Sequence, residues 1–182
     1  MIDPKQVTNF HRSKAELEEF LLFAILVAGK KSEQMAPKLE AFLKDAAGTP
    51  FEHIRQLGAQ LEEQLRLIRM GQYGRIAQSF RSLVESGLDL STCTVEDLEA
   101  IPGIGPKTAR FFLLHTRKDI VVAALDTHIL KFLRSLGYPA PKQTPRGAKY
   151  RRLENAFIDV ARSRNTTVAQ LDLEVWTSYA TA

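Results

Sequence analysis

An all-α fold is predicted by three features of the sequence. Apolar residues recur at helical spacing in several segments, alternating β-branched runs that would announce strands are scarce, and cap and stop residues bracket the helical stretches. A chain of 182 residues suits one compact domain or two small lobes sharing a cleft, since one core typically serves about 100 to 200 residues.

Each helix carries its own local signal. Ser13 is positioned to cap a helix from Lys14 whose apolar face, Leu17, Phe20, Leu21, Ala24, Ile25 and Ala28, reads as core up to the break at Gly29. A second helix is expected from Ser32 to Lys44, then a Gly48-Thr49-Pro50 turn and helices over 51–57 and 59–67. An amphipathic segment spans 74–86 and stops at Gly87. Thr94, with Asp97 three residues on, forms a capping arrangement for a short helix over 95–100. Residues 107–116 read as a helix with Ala109, Phe112 and Leu113 inward, and Ile120 to Ala124 as an apolar connector. Asp126 or Thr127 starts a helix through Leu136, stopped by Gly137 and Pro139. A Pro- and Lys-rich loop covers 138–147, and helices over 149–163 and 168–178 complete the chain.

Composition excludes several classes. The single Cys93 forms no internal disulfide, and no Cys-x-x-Cys pair or four-cysteine cluster is present for zinc or an iron-sulfur centre. The longest apolar run, Phe20 to Gly29, is about half of a bilayer span. No membrane role and a reduced intracellular compartment containing DNA, such as the cytoplasm, are expected. A net charge of +4 is compatible with a polyanionic partner and is weak evidence on its own.

The sharpest motif is Ile101-Pro-Gly-Ile-Gly-Pro-Lys-Thr-Ala109, a hairpin within 95–116. Gly103 and Gly105 allow a tight turn around Ile104 and let a phosphate approach the backbone. The next helix starts near Pro106, so its free N–H groups and positive dipole end favour an anion. Thr108 and Arg110 border those amides and join Gly103, Ile104 and Gly105 as candidate DNA contacts. Turn carbonyls at Ile101 and Ile104 are candidate ligands for K⁺ or Na⁺. A Gly-x-Gly turn that only joins two packed helices fits the glycines equally well.

Leu98 to Ala109, followed by Leu125-Asp-Thr-His-Ile-Leu130, strongly resembles the helix-hairpin-helix base-excision DNA glycosylases, particularly the endonuclease III and 8-oxoguanine glycosylase branches. The resemblance extends to Ala28-Gly-Lys30 and to Ile68 through Ala77. It implies a single domain over 1–182 with two helical subdomains flanking a DNA-binding cleft, one around 28–136 and the other formed by 1–27 and 137–182. It also implies a monomer acting on damaged duplex DNA with a flipped nucleotide, and no iron-sulfur cluster.

By the same resemblance, Lys107 matches the family nucleophile and Asp126 the essential aspartate. The chemistry needs both, because cleaving an N-glycosidic bond builds positive charge on the sugar that a carboxylate stabilises, and a neutral amine then attacks C1′. Taken singly, Lys107 reads as a phosphate contact and Asp126 as an N-cap; His115 and His128 read as structural. Gly29, Lys30, Lys31, Gln72 and Tyr73 match positions near the flipped nucleotide, as base pocket or wedge. Asp172 and Trp176 match the C-terminal base pocket of the cluster-free 8-oxoguanine glycosylases. Period-3.6 packing of Leu173 and Trp176 into the core explains that segment without a ligand.

The expected function is a glycosylase excising an oxidised purine such as 8-oxoguanine, with β-lyase activity through a lysine Schiff base. Two alternatives stand beside it. One is a glycosylase-related phage-type enzyme that transfers an amine or amino acid to modified thymine, and the other is a non-catalytic hairpin module.

Overall fold

A computed structural model describes residues 2–180. Ten α-helices are present among them and no strand: α1 (Lys14–Leu26), α2 (Ser32–Leu43), α3 (Pro50–Leu57), α4 (Leu61–Leu67), α5 (Tyr73–Ser86), α6 (Val95–Glu99), α7 (Pro106–Thr116), α8 (Thr127–Ser135), α9 (Gly147–Ser163) and α10 (Val168–Ala180). A 3₁₀ turn, Gly58–Gln60, links α3 to α4 where one helix over 59–67 was expected. No described helix is long and apolar enough to cross a membrane.

The chain divides into two compact units, one of Met1–Val7 with His11–Gly105 and one of Thr8–Phe10 with Pro106–Ala182. This differs from the boundaries expected after residues 27 and 136. α1 packs against α2, α3 and α5, which holds it in the first unit, while α8 packs against α9 and α10 and draws Thr127–Ser135 into the second.

In the first unit the local signals act as read. Ser13 Oγ accepts from the Glu16 N–H and Glu16 Oε2 accepts from the Ser13 N–H, 2.7 Å, a capping box that fixes where α1 begins. Thr49 with Glu52 and Thr94 with Asp97 repeat the device at α3 and α6. α1 is buried as its core reading implies: Glu18 and every residue from Phe20 to Leu26 are buried, while Lys14 and Glu16 in the first turn stay exposed. The buried Glu18 carboxylate accepts from the Phe51 N–H, 2.9 Å, at the positive end of α3.

The second unit has its own core of Leu125, Ile129, Leu130, Leu133, Leu153, Phe157, Leu171 and Val175. On α10 the inward face is therefore Leu171, Asp172 and Val175. Leu173 and Trp176, for which core packing was the alternative to a base-pocket role, are only half-buried.

Candidate active site

The lysine and the aspartate singled out by sequence lie in the second unit, at the starts of α7 and α8, which both pack against α10. Lys107 is the second residue of α7, and its ammonium sits 4.2 Å from the centre of the Phe111 ring one turn on. Asp126 is the N-cap of α8: its backbone is extended and Oδ1 accepts from the Ile129 N–H at 2.8 Å. Capping orients this carboxylate, and the Ile129 N–H supports its charge.

Electrostatics joins three groups. Burial pushes the Lys107 amine below its usual range, opposed by the negative charges of Asp126 and Asp172. Burial pushes the Asp126 carboxyl up, opposed by Lys107 and reinforced by Asp172. Both burial effects favour neutral partners, and each charge favours its opposite. Burial and mutual charge therefore act in opposite directions on Lys107 and on Asp126.

Asp172 is held from behind. Its Oδ2 accepts from His115 Nε2, 3.2 Å, and the Nδ1 side of the fully buried His115 ring pairs with the Thr8 hydroxyl, 2.8 Å. The Phe111 ring meets the His115 ring edge-on at 4.9 Å. His115, read from sequence as structural, is therefore a polar support for the acidic side of the site. Its signal was a histidine directly after the apolar run Phe111 to Leu114. Trp176 lies one turn beyond Asp172 on α10 and keeps part of its surface accessible.

Two expected DNA contacts have partners or burial within the protein. Arg110 does not present its guanidinium to a phosphate: Nε donates to Glu154 at 2.7 Å, Nη1 donates to the Pro106 carbonyl at 3.2 Å, and the group lies over the Tyr150 ring. Thr108 is buried, so only its first-turn backbone N–H, not its hydroxyl, faces the role assigned to it.

The two glycines of the turn also separate. Gly103 has φ +87° and its missing Cβ points at the Ser79 hydroxyl of α5, so both the turn and its packing require glycine. Gly105 has ordinary φ and open space around a would-be Cβ. Gly103→Ala is expected to lower stability by roughly 1–3 kcal/mol, whereas Gly105→Ala changes it by less than about 1 kcal/mol and instead weakens DNA binding. Thermal melting beside a binding titration checks the contrast. Ile104 is buried, and its N–H donates to the Ile101 carbonyl at 3.0 Å.

The remaining candidates lie in the first unit. Lys30 is not a free cation: Nζ donates to the Met70 carbonyl at 2.7 Å and the Gly71 carbonyl at 3.3 Å. Gly29 adopts φ +73° after α1, and Lys31 is exposed as the N-cap of α2. Arg69, Gly71 and Gln72 all have positive φ, and Gln72 Oε1 accepts from Arg75 Nε at 2.7 Å. The Tyr73 ring lies under the Arg66 guanidinium. Lys30 and the Gln72 loop are thus brought together, with Lys30 as the loop's internal anchor. Among the described residues no cluster of three or more His, Cys, Asp or Glu is arranged to hold a metal, and Cys93 is buried.

A helix-hairpin-helix motif model matches residues 88–114. Endonuclease III of Treponema pallidum (strain Nichols) is 30% identical over 131 residues, 71% of this chain and 61% of that protein's length. The 8-oxoguanine glycosylase/lyase of Methanocaldococcus jannaschii, solved with a 15mer DNA containing 8-oxoguanine, superimposes with a TM-score of 0.73 at 25% identity, over 98% of this chain and 89% of that one. Its fold is that of the helix-hairpin-helix DNA glycosylase superfamily. The 8-oxoguanine DNA glycosylase of Thermotoga maritima, 22% identical, shares the fold with a TM-score of 0.70 over 90% of this chain and 79% of its own. Within this superfamily fold, Lys107 is the residue directly after the hairpin's Pro106, and Asp126 caps the helix that follows the connector.

Proposed function

We propose that this chain is a base-excision DNA glycosylase that removes an oxidised purine, with 8-oxoguanine the best-matched base, and then nicks the strand by β-elimination. The observation that carries the reading is the placement of two half-buried groups that act on each other's charge, the Lys107 amine over the Phe111 ring in the first turn of α7 and the Asp126 carboxylate held as the N-cap of α8. The likeness to glycosylase structures over nearly the whole chain supports it.

The partner is damaged duplex DNA, attached through the phosphate-accepting start of α7 and the open Gly105, with the target nucleotide flipped. As the N-glycosidic bond breaks, its electron pair leaves with the base and Asp126 stabilises the positive charge growing at C1′. Neutral Lys107 Nζ forms the new bond to C1′, and opening of the sugar ring gives a Schiff base. Loss of a C2′ proton then expels the 3′ phosphate, and water releases the lysine. A K⁺ or Na⁺ on the Ile101 and Ile104 carbonyls would share the phosphate; Ile101 already accepts one hydrogen bond there and keeps a second lone pair. No chemical step requires it.

Incubation with duplexes carrying 8-oxoguanine, thymine glycol or uracil, with borohydride trapping and product mass analysis, tests the reading. Base loss and a trapped adduct on 8-oxoguanine are expected; binding without either, or a mass gain on the base, would replace it.

Asp172 sets the working pH. Its charge raises both the Asp126 and the Lys107 values. Asp172→Asn is therefore expected to move the rising side of the single-turnover pH profile to lower pH, since the reaction needs an ionised carboxylate and a neutral amine and both groups then lose their protons sooner. An unmoved profile would separate Asp172 from the site.

A further inference from the structure

The connector before Asp126 has no regular secondary structure, yet Ala123, Ala124 and Leu125 are buried. Buried backbone groups without ladder partners need other ones. Here side chains supply them. The Tyr150 hydroxyl accepts from the Leu125 N–H at 3.0 Å and donates to the Ala123 carbonyl at 2.7 Å. Glu154 Oε1 accepts from the Ala123 N–H at 3.0 Å, and the Thr144 hydroxyl donates to the Leu125 carbonyl at 2.8 Å. Tyr150 and Glu154 are one turn apart on α9, and both are buried.

The same Glu154 oxygen accepts from Arg110 Nε, and the Arg110 guanidinium stacks over Tyr150 at 4.4 Å. Arg110 stands three residues after Lys107 on α7, and Leu125 immediately precedes Asp126. One polar cluster therefore grips the nucleophile's helix at one end and the aspartate's connector at the other.

We infer that Arg110, Glu154 and Tyr150 are positioning residues that fix the Asp126 carboxylate relative to the Lys107 amine, a further layer of specificity in the proposed reaction that none of them touches directly. This rests on the glycosylase reading. Glu154 is the hinge of the device, because its one oxygen serves both Arg110 and the connector. Tyr150 completes it by holding the donor and the acceptor on either side of Ala124 with a single hydroxyl. A displacement of the carboxylate by about 1 Å is enough to cost a hundredfold in rate.

The test measures single-turnover base release, its pH profile, borohydride trapping on abasic DNA and melting for wild type, Tyr150→Phe and Glu154→Gln, with Leu39→Ala in the first unit's core as a stability control. Tyr150→Phe is expected to slow base release by about ten- to a hundredfold and to displace the acidic limb of the profile, with DNA affinity kept. Leu39→Ala melts lower and keeps the wild-type rate and profile. In an Asp126→Asn background Tyr150→Phe should have no further effect on base release. If Tyr150→Phe does not fold, Thr144→Val reads the same register from the connector's exposed side, with a severalfold smaller rate. A wild-type rate and profile in the folded variants would overturn the positioning role while leaving the glycosylase reading intact. An equal further loss in the Asp126→Asn background would also overturn it, and an inactive, untrapped wild-type protein overturns both.

Discussion

Lys107→Gln should abolish the borohydride-trapped adduct on damaged DNA and lower combined base release and strand nicking by on the order of 10³-fold or more, because no other group supplies the covalent bond to C1′. DNA affinity is expected to hold. The amine is half-buried, lies over the Phe111 ring and feels the charges of Asp126 and Asp172, so removing its own charge is expected to cost little attachment. A glutamine of similar length keeps the packing of α7. Binding that fell together with trapping would return Lys107 to the role of a phosphate contact.

Asp126→Asn should slow base release by about 10²- to 10³-fold, near 3–4 kcal/mol of lost transition-state stabilisation, as for removal of a preorganised electrostatic group. Asparagine is as good an N-cap as aspartate, so α8 should keep its start and the melting temperature should change little. Asp126→Ala adds the loss of the Ile129 hydrogen bond, about 1 kcal/mol of stability. Comparing the two variants separates the cap from the chemistry: rates that follow stability across both would mean that Asp126 only shapes the helix. Trapping on a preformed abasic site should survive Asp126→Asn better than base release does, since that step no longer needs charge stabilisation at the breaking glycosidic bond.

Most of the helical elements were legible because their signals are local. Capping pairs such as Ser13 with Glu16 need only residues within one turn, and Gly87 and Gly137 mark ends through their own backbone preference. Lys107 and Asp126 were legible through a motif, and both lie half-buried in the second unit at the starts of α7 and α8. Pairings across long separations were not legible. Arg110 reads as a cation beside a phosphate-binding turn until Glu154, forty-four residues later, claims it. Lys30 reads as a pocket cation until the carbonyls of Met70 and Gly71 take its ammonium. A charge inside an apolar stripe was the available hint for Glu154, which stands between Leu153 and Phe157. Nothing local distinguishes such a buried carboxylate from a solvated one, because its partner is chosen by tertiary packing.

The unit that holds the candidate site is closed by a stretch of chain from far upstream. Thr8–Phe10 belongs to it, and Thr8 reaches His115 across 107 residues, with the Asn9 N–H donating to the His115 carbonyl at 3.0 Å. Closing so long a loop carries an entropic cost that contacts within a helix do not. Until it forms, a fully buried histidine lacks one of its partners and the acidic flank of the site lacks its backing. The acidic flank of the site thus depends for its backing on residues 8 and 9, which are unremarkable in sequence.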